Sequence, residues 1–257
     1  MKAQEKELIY NLLKTADAYE LGYTRDKFAS VMQFFDDEEA PSVEISYEPV
    51  PVSVSEPAPI SVPAPQKSGM TLEELNAKIL RCTRCGLART RNNVVPGMGV
   101  LNPQVMVIGE GPGHDEDMQG LPFVGKAGLL LDKMLNAIQL DRKTNCYIAN
   151  VVKCRPPENR NPFPDEQSAC FSFLEAQIHL LKPKMILCMG KISIEKLMNQ
   201  SVSINASHGQ FFDYNGIPVM PTYHPSALLR NEQLKRPAWE DLKKFRVRLN
   251  DLLRDNS

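Results

Sequence analysis

The stretch VMVIGEGPGHDEDMQGLPFVGKAG, residues 105–128, decides the fold. Its apolar start, Val105–Ile108, has the length of a buried strand, and six glycines and two prolines follow in residues 109–128. So many glycines indicate a backbone held in unusual conformations close to another group. We therefore expect a buried strand that runs directly into a loop at a functional or structural site.

Working outward, three further apolar runs have the length of buried strands, and helical patterns lie between the four runs. Strands that alternate with helices predict an α/β fold with a mostly parallel sheet covered on both faces. Ligands of such sheets bind beyond the carboxyl ends of the strands. The additional strand runs are 147–152, 185–189 and 217–220, and the helical patterns are 126–139, 165–181, 190–199 and a last one at 237–254.

The chain divides into three predicted regions. Residues 1–35 have apolar positions at helical spacing, which indicates a helical N-terminal segment of unknown role. Residues 36–68 are acidic and then rich in proline, valine and serine, which favours a disordered linker. A capping box formed by Thr71 and Glu74 begins an amphipathic helix, so we expect the folded domain to span 69–257.

Composition excludes several classes of protein. The 257 residues contain 30 Lys+Arg and 31 Asp+Glu, a net charge of -1, so any nucleic-acid surface must be local. We expect no membrane span and no signal peptide, and therefore a cytoplasmic protein. A monomer is also expected, with a protein partner as one possible role for residues 1–35.

Polar residues follow three of the predicted strands. Glu110 comes directly after the first, where an acid can polarise a water or stabilise a developing cation. Asn150 stands at the end of the second, with an amide that can read a base edge, although such a residue is more often structural. His224 follows the last strand and precedes a polar and apolar group that could form a DNA wedge or contact: Leu228, Leu229 and Arg230.

The loop after the first strand is a poor phosphate site. It lacks the GxGxxG spacing of a dinucleotide-binding turn, and it carries Asp115, Glu116 and Asp117 in addition to Glu110. Composition alone leaves catalysis and a structural role about equally plausible for this loop.

The six cysteines fall into two groups. Cys146 and Cys188 lie inside apolar strand runs and are expected to be buried core thiols. Four thiolates can bind either zinc or an iron–sulfur cluster, and their spacing does not decide between the two. The four cysteines available for a metal are Cys82, Cys85, Cys154 and Cys170.

Four motifs in this order resemble the family 4 uracil-DNA glycosylases, over about residues 70–253. They are CTRCGLARTRNNVVPGMG from Cys82, GEGPGHDEDMQGLPFVGKAGLLLDKML from Gly109, NVVKCRPPENRNP from Asn150, and PTYHPSALLR from Pro221. The resemblance implies a three-layer α/β/α sandwich around a central four-stranded, mostly parallel sheet. It also implies removal of uracil from DNA in base excision repair, which leaves an abasic site, and a [4Fe–4S] cluster held by the four cysteines.

The resemblance also assigns roles to single residues. Glu110 would be catalytic, by orienting the attacking water or favouring the cationic sugar, and His224 would donate to the uracil O2 as negative charge builds there. Phe123 would stack on the flipped base, Asn150 would hydrogen-bond its edge, and Gly111 would let the backbone approach it. Exposed arginines would contact phosphates, with Arg89, Arg91, Arg155, Arg160 and Arg230 as candidates.

Two other functions stay open at this point. A non-catalytic module that binds uracil or DNA could retain the fold and the cluster. Such a module need not retain Glu110, Phe123, Asn150 and His224 together. A zinc-stabilised hydrolase of another substrate is the second alternative, and colour would separate it from an iron–sulfur protein.

Overall fold

The computed structural model describes residues 70–254. The helical segment predicted at 1–35 and the linker predicted at 36–68 lie outside the described residues, so both stay predictions. No helix within 70–254 is long and apolar enough to cross a membrane. The monomeric state and the cytoplasmic location also stay predictions.

The structure confirms the α/β fold. Six strands form one sheet in the order β1-β3-β2-β4-β6-β5, with parallel pairing among the four central strands and antiparallel pairing at both edges. The strands are β1 (Met98–Gly99), β2 (Val105–Gly109), β3 (Cys146–Asn150), β4 (Met185–Met189), β5 (Phe212–Tyr214) and β6 (Ile217–Thr222).

The helices include every one predicted within residues 70–254, with the capping box of Thr71 and Glu74 present at the first, and three short ones that the sequence did not predict, at 114–119, 204–207 and 225–230. They are α1 (Leu72–Leu80), α2 (His114–Gln119), α3 (Lys126–Asn136), α4 (Pro164–Leu181), α5 (Lys191–Met198), α6 (Ile204–Ser207), α7 (Pro225–Arg230) and α8 (Lys235–Arg254).

Alternate residues of the central strands enter two separate apolar cores, one on each face of the sheet. On one face Met106 and Ile186 pack with residues of α1, α4 and α5. On the other face Val107 and Leu187 pack with residues of α3 and α8. The result is a three-layer α/β/α sandwich, in which β2, β3 and β4 are fully buried and β6 is buried from Val219 onward.

Parallel pairing brings the carboxyl ends of the central strands to one edge. Gly109 pairs with Asn150 in the β2–β3 ladder, and Met189 pairs with Thr222 in the β4–β6 ladder. The segments that follow these residues therefore meet above the sheet, which is where ligands of this architecture bind.

Candidate active site

A cleft of about 510 Å³ opens at the carboxyl edge of the sheet. Five residues predicted for the site line it: Glu110, Gly111, Phe123, Asn150 and His224. They come from four segments of the chain, and the parallel sheet places all of them except Phe123 near the carboxyl ends of its strands.

Asn150 carries an unsatisfied polar atom in this cleft. The residue is 2% exposed, and its Oδ1 has no hydrogen-bond partner among the described residues. Leaving a buried acceptor unpaired costs about 1–3 kcal/mol, so such a group calls for an explanation. A ligand that donates a hydrogen bond to Oδ1 would supply one.

Phe123 lies beside Asn150 in a strained backbone conformation. Its φ is 53°, which is uncommon for a residue other than glycine. A Cβ on Gly109 would lie 2.6 Å from the Phe123 Cζ and would also clash with Asn150 Oδ1. Glycine at position 109 therefore lets the ring and the amide lie side by side at the floor of the cleft.

A buried arginine that the sequence did not single out fixes this loop. Arg142 is 9% exposed. It donates to the carbonyl oxygens of Pro122 at 2.8 Å and Phe123 at 3.0 Å, and to Asp132 Oδ1 at 2.6 Å. Charged residues are rarely buried unless paired, so Arg142 has a structural role in holding the aromatic ring in place.

His224 is a neutral hydrogen-bond donor whose ring is oriented by the helix that it caps. Its Nδ1 accepts a hydrogen bond from the Ser226 backbone N–H at 3.1 Å, at the start of α7. A ring nitrogen that accepts carries no proton, so the proton of the neutral ring is on Nε2. Burial, and then the charge of Arg230, lower the pKa of His224 to about 4. The ring is thus uncharged at neutral pH, and it lies 5.6 Å from the Phe123 ring between centroids.

The carboxylates of the glycine-rich loop have different roles. Glu110 lines the cleft, and burial raises its pKa above the ordinary value of 4.5. Glu116 accepts from the backbone N–H groups of Gly113, Val124 and Gly125 at 3.1, 2.9 and 3.0 Å, which ties the two halves of the loop together.

Asp117 is also structural. It is 1% exposed and accepts from the backbone N–H groups of Asn92 and Asn93 at 2.9 and 3.2 Å. Two of the acidic residues of the loop, Glu116 and Asp117, therefore serve to accept hydrogen bonds from the backbone. Of the two carboxylates that line the cleft, Glu110 and Glu116, the three backbone bonds leave Glu110 as the one available for chemistry.

The three residues proposed for contact with DNA differ in their exposure to solvent. Leu228 is 2% exposed and packs in the core beneath the sheet, so it is not available as a wedge. Leu229 is 49% exposed, and Arg230 is exposed at the rim of the cleft. The apolar wedge proposed from the sequence is therefore narrowed to Leu229.

Three of the arginines proposed for phosphates have other partners. Arg155 donates from Nε to Asn159 Oδ1 at 2.7 Å. Arg160 forms a two-pronged ion pair with Glu166, at 2.7 and 2.8 Å, above the ring of Phe163. Arg91 donates from Nη1 to the Cys154 Sγ at 3.1 Å, away from the cleft.

The four cysteines proposed as ligands line one small cavity between α1, α4 and the end of β3. Cys154 and Cys170 are 6% and 7% exposed. Among residues 70–254, no three acidic, histidine or cysteine side chains are grouped closely enough to hold one metal ion. Four cysteines that line one cavity are a donor set that either a zinc ion or an iron–sulfur cluster can use.

The remaining two cysteines are core thiols, as predicted. Cys146 and Cys188 are both 0% exposed, and burial raises the pKa of each thiol to about 12. They lie inside β3 and β4 and are not among the residues that line the four-cysteine cavity.

Comparison with known proteins agrees with this geometry. A family model for the uracil DNA glycosylase superfamily matches residues 96–243. A type-4 uracil-DNA glycosylase of Thermotoga maritima is 44% identical over 177 residues, which cover 67% of this chain and 92% of that protein. Type-4 enzymes of Archaeoglobus fulgidus and Sulfurisphaera tokodaii are 37% and 40% identical, over 92% and 84% of their lengths. The chain therefore belongs to the uracil DNA glycosylase superfamily, and its similarity is to the type-4 enzymes.

Proposed function

We propose that this protein excises uracil from DNA by hydrolysing its N-glycosidic bond, and so begins base excision repair. The observation that carries the proposal is the buried, unpartnered Oδ1 of Asn150 in the cleft. Uracil presents an N3–H donor beside an O4 acceptor, and a side-chain amide matches that pair with one acceptor and one donor.

The target base would have to leave the duplex to reach the cleft, since the amide is buried at the carboxyl edge of the sheet. Phe123 would stack on the flipped ring, an attraction worth about 1–3 kcal/mol. Gly111 would permit close approach of the backbone. A Cβ at this position would lie 2.7 Å from Val152 Cγ2, so the segment has no room for a side chain on that side.

Bond cleavage leaves a cationic sugar and an anionic base. The C1′–N1 electron pair leaves with uracil, a water oxygen bonds to C1′, and a proton of that water passes through Glu110 or solvent to the uracil anion, so that the products are uracil and an abasic site. Glu110 would orient the water or stabilise the cationic sugar. The Nε2–H of neutral His224 would donate to the uracil O2 as its charge develops. The neutral ring can fill this role because it still carries the Nε2 proton, which can form a hydrogen bond to the anionic base.

The DNA itself would be held at the rim of the cleft. Leu229 would fill the space that the flipped base leaves in the stack, and Arg230 would contact a phosphate. These two are consecutive exposed residues at the end of α7, the helix that His224 caps.

We also propose that Cys82, Cys85, Cys154 and Cys170 hold a [4Fe–4S] cluster. Convergence of four thiols on one apolar cavity supports this assignment, as does the similarity to the type-4 enzymes. When bound, the cluster would cross-link α1, α4 and the segment after β3. Its simplest role is structural, because the cavity and the cleft are lined by different residues.

The test is incubation of the purified protein with a uracil-containing oligonucleotide, followed by alkaline cleavage of abasic sites. We expect strand breaks at uracil that nearly disappear in Glu110→Ala and fall less steeply, by about 10- to 100-fold, in Asn150→Ala. Asn136→Ala, which changes an exposed asparagine of α3, is the matched control. DNA binding without breaks would instead favour a non-catalytic uracil-binding module.

A further inference from the structure

Between the cleft and the four-cysteine cavity lies a fully buried lysine. Lys153 is 1% exposed and lines the cysteine cavity. Long charged side chains almost never occupy such a position without a counter-charge. Among residues 70–254, no carboxylate forms an ion pair with Lys153.

The partners of Lys153 are two neutral oxygens. Its Nζ donates to the backbone carbonyl of Asn150 at 2.9 Å and to Gln177 Oε1 at 2.7 Å. Gln177 is 0% exposed, and its Nε2 donates to the Pro96 carbonyl at 2.8 Å. The amide is thereby oriented with its oxygen toward the lysine, so the ammonium group is fixed by two well-placed acceptors.

A counter-charge for the lysine would come from the four-cysteine cavity that it lines. The Lys153 backbone N–H donates to Cys170 Sγ at 3.3 Å, and Cys154 is the next residue in the chain. Four thiolates bound to an iron–sulfur cluster would give this cavity a negative charge. A buried ammonium beside it, with Arg91 on Cys154 as a second cation, would offset part of that charge in a medium where electrostatic interactions are strong.

We propose that Lys153 is a positioning residue that couples the two sites: it offsets charge at the cysteine-bound cluster and holds the end of β3, so that the Asn150 amide meets the base in register. The inference rests on the proposed function and on the proposed cluster. Its physical basis is that one ammonium group bonds to the Asn150 carbonyl and lines the cysteine cavity. Misplacing a binding group by about 1 Å can cost about 100-fold in rate.

The experiment compares Lys153→Met, Lys153→Arg and the exposed control Lys184→Met in the iron-loaded full chain. Two quantities are measured: the reduction potential of the cluster, and kcat/KM for uracil excision from duplex DNA. Lys153→Met should make the potential more negative, since removing a nearby cation disfavours the more negative reduced cluster, and should lower kcat/KM about 10- to 100-fold. Lys184→Met should change neither quantity.

Lys153→Arg separates the two roles and also serves if Lys153→Met does not fold. It retains the charge but places its donors differently, so the potential should stay near the wild-type value while kcat/KM falls. Wild-type potential and wild-type kcat/KM in Lys153→Met would overturn the proposal, as would unchanged kcat/KM in Lys153→Arg. If the wild-type protein excised no uracil, the proposed function would fail, and the potential would still test the charge effect.

Discussion

The cleft and the four-cysteine cavity both include residues at or just after the end of β3, but their polar atoms differ in hydrogen bonding. In the cleft the Asn150 Oδ1 has no hydrogen-bond partner among residues 70–254, and partial burial of Glu110 raises its pKa. In the cavity the sulfur atoms of Cys154 and Cys170 already receive hydrogen bonds from Arg91 and from the Lys153 backbone. The difference is what we expect if the cleft binds a polar group reversibly and the cavity holds the proposed cluster.

The largest effect should come from the acid of the cleft. Glu110→Gln should lower the excision rate by about 10²- to 10⁴-fold, because the amide can neither accept a proton nor offset a cationic sugar. Single-turnover excision from a uracil-containing duplex measures this loss. Glu73→Gln, an exposed change on α1, should leave the rate as it is. A loss below tenfold in Glu110→Gln would assign the chemistry to another residue.

Removing one ligand of the cavity should affect a different property. Cys85→Ala should lose most of its bound iron and the brown colour, since three thiolates hold a four-iron cluster poorly. Iron content per chain and visible absorbance provide the measurement. Cys188→Ala changes a buried thiol of β4 instead and should retain the iron even where packing suffers. Equal iron in both variants would show that the four-cysteine cavity is not the cluster site.

Replacing Asn150 should cause a smaller loss of excision activity, without a loss of DNA affinity. Asn150→Ala should lower kcat/KM about 10- to 100-fold and leave affinity for uracil-free DNA unchanged, because in the proposed function the amide binds the flipped base and not the DNA backbone. Binding and excision are compared on the same duplex. Equal losses of affinity for DNA with and without uracil would mean that the variant has damaged the DNA surface or the fold.

The sheet was predictable from the sequence because three of its four central strands are buried along their whole length and all four contain short apolar runs. The edge strands were not, since Met98–Gly99 and Phe212–Tyr214 are too short to give a pattern. Glu110, Asn150 and His224 were found because parallel strands bring their carboxyl ends together. Lys153 and Arg142 could not be found in this way. Lysine and arginine are usually exposed, and the neighbouring sequence gives no sign that these two are buried.

The pH dependence should distinguish the two titrating groups of the cleft. Burial raises the pKa of Glu110, so excision by the ionised acid should fall as the pH drops through a value above 4.5. Burial lowers the pKa of His224 to about 4, so His224 adds no titration between pH 5 and 8. The pH profile of single-turnover excision should lose this acid limb in Glu110→Gln. An unchanged acid limb in that variant would contradict the assignment.

The same shift has a stability consequence. Because the folded-state pKa of Glu110 is raised, its stabilising contribution is present at low pH and is lost as the pH rises through the raised pKa. Glu110→Gln should therefore increase the Tm at neutral pH relative to wild type, and the gain should shrink in acid. Calorimetry at two pH values measures both, and a lower Tm at neutral pH would argue against a destabilising buried carboxylate.

The smallest effect should lie at the rim. Leu229→Ala should reduce excision severalfold from duplex DNA and less from single strands, because an apolar wedge is needed only where the base leaves a stack. The ratio of the two rates is the measurement. Val247→Ala, an exposed apolar change on α8, should leave this ratio unaltered, and an equal ratio in Leu229→Ala would exclude the wedge.

A crystal structure of the Glu110→Gln variant with a uracil-containing duplex would test the central claim most directly. We predict a uracil flipped into the cleft, with its N3–H donating to Asn150 Oδ1, its ring on Phe123 and its O2 accepting from His224 Nε2. A base bound with Asn150 Oδ1 still unpartnered, or a duplex bound with uracil left in the stack, would contradict the account.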